Sequence, residues 1–160
     1  MLIHLMQHGA CLSEQLDPNQ PLSPVGREIV EKTARAAAVL GLRFELIVAS
    51  PKLRSRQTAE IMARATGYPV SRIQVTEAAK AMAPARETID FIKEYQGLES
   101  VLVTGHLPSL TKVAAALLTG GTEPAVHIEN AGLTQLDLPE KGNATLNWHL
   151  TPAQLTLIAG

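Results

Sequence analysis

Apolar positions along the chain alternate between two periods. Leu2-Ile3-His4-Leu5-Met6, Phe44 to Ala49 and Ser100 to Thr104 are short, nearly continuous apolar runs. Such runs mark strands buried on both faces of a parallel sheet. Between them the spacing turns helical. Val25, Ile29, Thr33, Ala36 and Leu40 form one stripe, opened by Ser23 as N-cap and Pro24 as first helical residue and closed by Gly41. A second helix runs from Ser55 or Arg56 to Thr66, with Gly67 after it, and a weak strand follows at Arg72 to Val75. Pro84 opens a third helix with Ala85, Ile89, Ile92 and Tyr95 on one side. Ser109 to Leu118 is apolar almost all round and therefore a buried helix. The tail carries two strands, Gly132 to Leu138 and Ala144 to Leu150, joined by the turn Pro139 to Asn143.

Strands alternating with helices predict an α/β three-layer sandwich. Its central sheet is mainly parallel, with helices on both faces and an antiparallel C-terminal hairpin at the sheet edge. With 160 residues, 46% of them hydrophobic, and no linker or repeat, residues 1–160 read as a single domain. A net charge of −1 supplies no broad basic field for nucleic acid or an anionic membrane. One cysteine, Cys11, excludes a disulfide framework and a cysteine-rich zinc site. No run approaches membrane length and no secretory leader pattern precedes the first strand, so a soluble, cytoplasmic, monomeric protein is expected.

In a sheet of this kind ligands bind at the carboxyl ends of the strands. Three strands end there in chemistry: Gln7-His8-Gly9, Ser50-Pro51-Lys52-Leu53-Arg54 and Gly105-His106. A glycine directly after His8 suits a sharp turn at the strand end. Spacing excludes a cysteine-phosphatase loop, since the position six after Cys11 is Asp17, and there is no Walker loop, H-E-x-x-H or G-x-S-x-G. A metal held by His8, His106 and a carboxylate is disfavoured by the positive charge of Arg54. Two histidines and an arginine remain. Neutral imidazole is a nucleophile near pH 7, a second, protonated imidazole stabilises a phosphoryl group, and guanidinium matches phosphate oxygens. The residues point to a metal-free, cofactor-free phosphoryl transferase or phosphatase with histidine as nucleophile.

Gln7-His8-Gly9, Leu22-Ser23-x-x-Gly26, Ser50-Pro51-x-Leu53-Arg54-x-x-Gln57-Thr58 and Gly105-His106-x-Pro108 also occur in the order and spacing of a known group. The chain resembles the histidine phosphatase superfamily, with the phosphoglycerate-mutase-like fold. The short chain and the late Asn147-Trp148 look most like its small phosphohistidine phosphatases of the SixA type. The resemblance implies that His8 becomes transiently phosphorylated, that Arg54 binds phosphate and that His106 stabilises the transferring group. Gln7 and Gly9 fall in the phosphate-binding first motif, and Glu77 stands about where larger members carry a general acid. The implied substrate is a protein-borne phosphohistidine or a small phosphorylated molecule.

One departure stands out: the family's arginine before the first histidine is Gln7 here. It supports a second class of function, a member that binds phosphate or phosphohistidine without turning it over. His4, His127 and His149 read as structural, Cys11 as a small buried side chain, and Arg56 as a surface residue of a helix-end ion pair.

Overall fold

The computed structural model describes residues 1–121, 123 and 126–160. Six strands form one sheet: β1 (Leu2–Gln7), β2 (Leu46–Ala49), β3 (Gln74–Val75), β4 (Ser100–Gly105), β5 (Leu133–Asp137) and β6 (Thr145–Leu150). Their order is β3-β2-β4-β1-β5-β6. The first four in that order run parallel, and β5 and β6 join as an antiparallel hairpin at the β1 side. The predicted mainly parallel sheet and its edge hairpin are both present. β3 is shorter than the weak strand expected at Arg72 to Val75, with only two residues paired to β2.

Strand alternation sorts the core into two layers. Met6, Ile47, Ala49 and Leu102 face one way, against α1 (Pro24–Val39), α2 (Leu53–Thr66) and α5 (Pro152–Ala159). Ile3, Leu5, Val48, Val101 and Val103 face the other way, against α3 (Ala85–Lys93) and α4 (Ser109–Thr119). Fully burying each Val, Leu, Ile or Met of these layers contributes about 1.5–3 kcal/mol.

Two features differ from the sequence reading. The buried stripe of α1 is Gly26, Val30, Thr33, Ala34, Ala36 and Ala37, so the helix is rotated from the Val25 stripe, and Val25 is 64% exposed. Gly26 sets this rotation. An added Cβ there would lie 1.9 Å from the Ala10 carbonyl oxygen, so the helix lies directly on the backbone after β1. The second difference is α5, which the sequence reading lacked. Thr151 accepts from the Gln154 N–H while the Gln154 side chain accepts from the Thr151 N–H, a complete capping box. Leu155 then buries against the α1 layer.

Connections out of β1 and β2 lead to helices on one face, whereas β4 leads to α4 on the other. β4 lies between β1 and β2. Adjacent strands whose connections leave to opposite faces open a crevice at their carboxyl ends.

Candidate active site

His8 and His106 stand at that crevice, one residue beyond β1 and β4 respectively. The two strand ends are tied directly, because the His8 N–H donates to the Gly105 carbonyl at 3.0 Å. This places the imidazole centroids 4.9 Å apart. Arg54, in the first turn of α2, donates from Nε to His8 Nε2 at 3.3 Å. His8, His106 and Arg54 are therefore brought together as their positions in the chain predicted.

Hydrogen-bond partners fix the protons on both rings. His8 Nδ1 lies 2.6 Å from the Gly9 carbonyl oxygen, which only accepts, so Nδ1 carries the proton. Nε2 then holds its lone pair toward Arg54. His106 Nε2 lies 2.6 Å from Ser50 Oγ, a fully buried hydroxyl that also accepts the Lys52 N–H at 3.3 Å. If His106 Nε2 were the donor, the Ser50 hydroxyl proton would have no acceptor, a costly arrangement in a buried site. Ser50 therefore donates to Nε2, and the His106 proton sits on Nδ1. That atom has no protein partner among the described residues and is not sealed from solvent.

Both rings are poor proton acceptors. Burial lowers the His8 pKa below 6.5, with the Arg54 charge acting the same way and the Gly9 carbonyl opposing. Burial, followed by the charges of His8, Arg54 and Lys52, pushes His106 down to about 3. In the free protein His106 is thus a neutral N–H donor, where the sequence reading had a protonated imidazole.

The surroundings hold these groups in place. The Thr58 hydroxyl accepts the Gly9 N–H at 3.1 Å and donates to the Arg54 carbonyl at 2.8 Å, linking the His8 turn to α2. Ser55 Oγ accepts the Ser50 N–H at 3.1 Å and donates to the Thr104 carbonyl at 3.0 Å, tying the start of α2 to β2 and β4. Asn130 Nδ2 donates to the His8 carbonyl at 2.7 Å. Sequence reasoning quoted Ser50 and Thr58 only as parts of a motif and missed Asn130. A hydroxyl directly after β2 was the available signal for Ser50, whereas Thr58 lies inside α2.

The other expected site residues are placed differently. Gly9 does not offer its N–H to phosphate, because Thr58 already accepts it. Nor is Gly9 there for a left-handed turn: a Cβ would lie 2.5 Å from Val30 Cγ2, so close packing under α1 requires it. The half-buried Gln7 lies on the strand face of Ile3 and Leu5, and its amide has no hydrogen bond among the described residues. Glu77 has a side chain 73% exposed and forms an ion pair with Lys80. A cavity of about 140 Å³ beside His106 is lined by Lys52, Arg54, Lys80, Ala81 and Met82, and Glu77 is not among its walls.

A larger hollow of about 430 Å³ lies at the amino end of β1, near Met1, Leu98 and Asp137, away from both histidines. Among the described residues, no group of three His, Cys, Asp or Glu side chains could hold a metal ion. His4 is buried, with Nδ1 donating to the Val101 carbonyl and Nε2 accepting from Gln135, as expected of a structural residue. Cys11 is half-buried rather than buried.

Residues 3–78 match the histidine phosphatase superfamily (branch 1). Over those residues the chain is similar to that superfamily. Phosphohistidine phosphatase SixA of Escherichia coli K12 is 28% identical to it over 98% of both chains. The structure of the protein histidine phosphatase SixA complexed with tungstate superposes with a TM-score of 0.87 at 27% identity, covering 97% of this chain and 99% of that one. The alpha-ribazole phosphatase from Shigella flexneri shares the fold, with a TM-score of 0.76 at 16% identity over 95% and 97% of the two chains. The superfamily match ends before His106, while the likeness to the whole SixA chain continues past it.

Proposed function

We propose that this chain is a phosphatase that uses His8 as nucleophile and removes phosphate from a phosphohistidine, protein-borne or small, without a metal or other cofactor. The observation that carries this reading is the state of His8. Its Nε2 is unprotonated and faces the Arg54 guanidinium, while Nδ1–H is fixed on the Gly9 carbonyl. The site supports four steps. The Nε2 lone pair attacks phosphorus as the phosphorus–nitrogen bond to the substrate breaks. The positive charge that develops on the His8 ring is stabilised by the Gly9 carbonyl. Arg54 moves its donors from Nε2 to the phosphoryl oxygens, where His106 adds its Nδ1–H. Water then attacks phospho-His8, releasing inorganic phosphate and returning the lone pair to Nε2. Most of the catalysis is positioning and charge stabilisation, as phosphoryl transfer requires.

A departing imidazole is a far better leaving group than an alkoxide, so the reaction needs little general-acid help. Glu77, paired with Lys80 and outside the pocket lining, is accordingly given no step. The SixA likeness supports this substrate class, and tungstate in the SixA structure is a tetrahedral oxyanion of phosphate-like shape. A second reading, binding without turnover, is favoured by Gln7. Its neutral amide precedes His8 where the family has a guanidinium, which removes one charge from the phosphate site. The protein is read as monomeric and cytoplasmic. No described helix is long and apolar enough to cross a membrane.

Phosphate release from phosphoramidate and free phosphohistidine tests both readings. Turnover is expected to continue in EDTA and to vanish in His8→Ala. Attack needs neutral His8, whose pKa lies below 6.5, so kcat/KM should hold at pH 6.5 and fall only at lower pH. Tight vanadate binding without phosphate release would favour the binding reading. EDTA inhibition reversed by a divalent ion would overturn the metal-free one.

A further inference from the structure

Arg56 was expected to be an ion-paired surface residue, but among the described residues it has no carboxylate within 4 Å. The same holds for Lys52 and Arg54. Lys80, across the small cavity, differs in being neutralised by Glu77. Lys52, Arg54 and Arg56 also share a second cavity, of about 400 Å³, between the turn at Pro18–Gln20 and the start of α2. Lys52 and Arg54 line both cavities, so the second one adjoins the cavity beside His106 across these two side chains.

Every charged side chain in the wall of the outer cavity is a cation. The acid nearest in sequence, Asp17, is outside that wall, and its Oδ1 accepts the Asn19 N–H at 2.9 Å. The remaining polar lining comes from Asn19 and Gln20, whose amides can donate. Gln20 holds a left-handed φ of 46°, unusual for a residue other than glycine. One phosphoryl group at His8 needs Arg54 and the cation beside it. Arg56, which lines only the outer cavity, has no such task.

We propose that this outer cavity is a second anion subsite, which receives a carboxylate carried by the substrate beside its phosphoryl group. The inference rests on the phosphatase reading for the first site. Arg56 supplies a planar fork suited to a carboxylate, and Lys52 supplies a point charge between the two anions. The carboxylate has two possible sources. It is either the substrate's own, as in free phosphohistidine, or that of an Asp or Glu near a phosphohistidine on a protein.

Rates on phosphoramidate, free phosphohistidine and two phosphohistidine peptides, flanked by Glu or by Gln, test the subsite. The wild type should favour the carboxylate-bearing member, by about three- to tenfold for two exposed cations, and less in high salt. A gain on free phosphohistidine over phosphoramidate assigns the carboxylate to a small substrate; a gain only for the Glu peptide assigns it to a protein. Arg56→Ala should lower the favoured rate about threefold or more while leaving phosphoramidate within about twofold. Arg56→Glu should invert the preference. Equal rates on matched substrates in the wild type, or a preference that survives Arg56→Glu, would overturn the proposal. If the wild type releases no phosphate from any substrate, the phosphatase reading fails separately. The subsite is then read from calorimetric binding of the two phosphopeptides, and equal affinities overturn it.

Discussion

Ser50 shows how one buried hydroxyl sets the chemistry of a neighbouring ring. By donating to His106 Nε2 it holds the only ring proton on Nδ1, the atom with no protein partner among the described residues and not sealed from solvent. Its contribution is one of position, since it does not itself reach the phosphoryl site. Ser50→Ala leaves Nε2 without its donor, and the ring can move its proton to Nε2 and turn a lone pair toward the substrate. Loss of such a supporting contact is expected to cost about 10–100-fold, the scale for hydrogen bonds that orient histidines at metal sites. The expected result is that loss in kcat, with imidazole ¹⁵N shifts moving from the Nδ1–H form toward the Nε2–H form. An unchanged tautomer with unchanged kcat would show that Ser50 only fills space. The sequence places Ser50 beside Pro51 in a motif, but a proton count at Oγ requires the Lys52 N–H and His106 together, and these meet only in the fold.

At the level of elements, the contact between α1 and the turn after β1 positions His8 from below. Gly9 and Gly26 face one another there, each with no space for a side chain. Gly26→Ala would drive a Cβ against the Ala10 carbonyl, which is backbone and has little freedom to yield. Overpacking of this kind costs about 1–3 kcal/mol. Thermal or denaturant melts should show that destabilisation, accompanied by loss of activity larger than the folding loss alone explains, because the displaced turn carries His8. Wild-type melting and turnover in Gly26→Ala would contradict this account of the contact. The same contact explains a misreading of the sequence. The Val25 stripe has valid helical spacing, but the helix is phased by where a glycine must lie, and apolar periodicity does not register that. Strands β1, β2 and β4 were readable because burial on both faces leaves few polar positions in the run. The capping box before α5 was also written in Thr151-Pro152-Ala153-Gln154, and there the tail was read as strands and turns alone.

Across the whole molecule, nearly neutral net charge conceals a sharply uneven arrangement. Lys52, Arg54 and Arg56 gather along one side of the strand-end crevice, where Arg54 reaches His8. The chain order alone indicates that His8, Arg54 and His106 share the carboxyl ends of neighbouring strands, because parallel topology sends those ends to one side. It does not indicate where Glu77 lies, since a loop charge is placed by its neighbours, here Lys80. The central claim is that His8 Nε2 takes the phosphoryl group. The most direct measurement is intact mass after brief exposure to phosphoramidate, quenched without acid, followed by peptide mapping. The account predicts one added phosphate on the peptide carrying His8, absent from His8→Ala and lost on further incubation as phosphate is released. Turnover with the adduct on another residue, or undiminished turnover and adduct in His8→Ala, would contradict it.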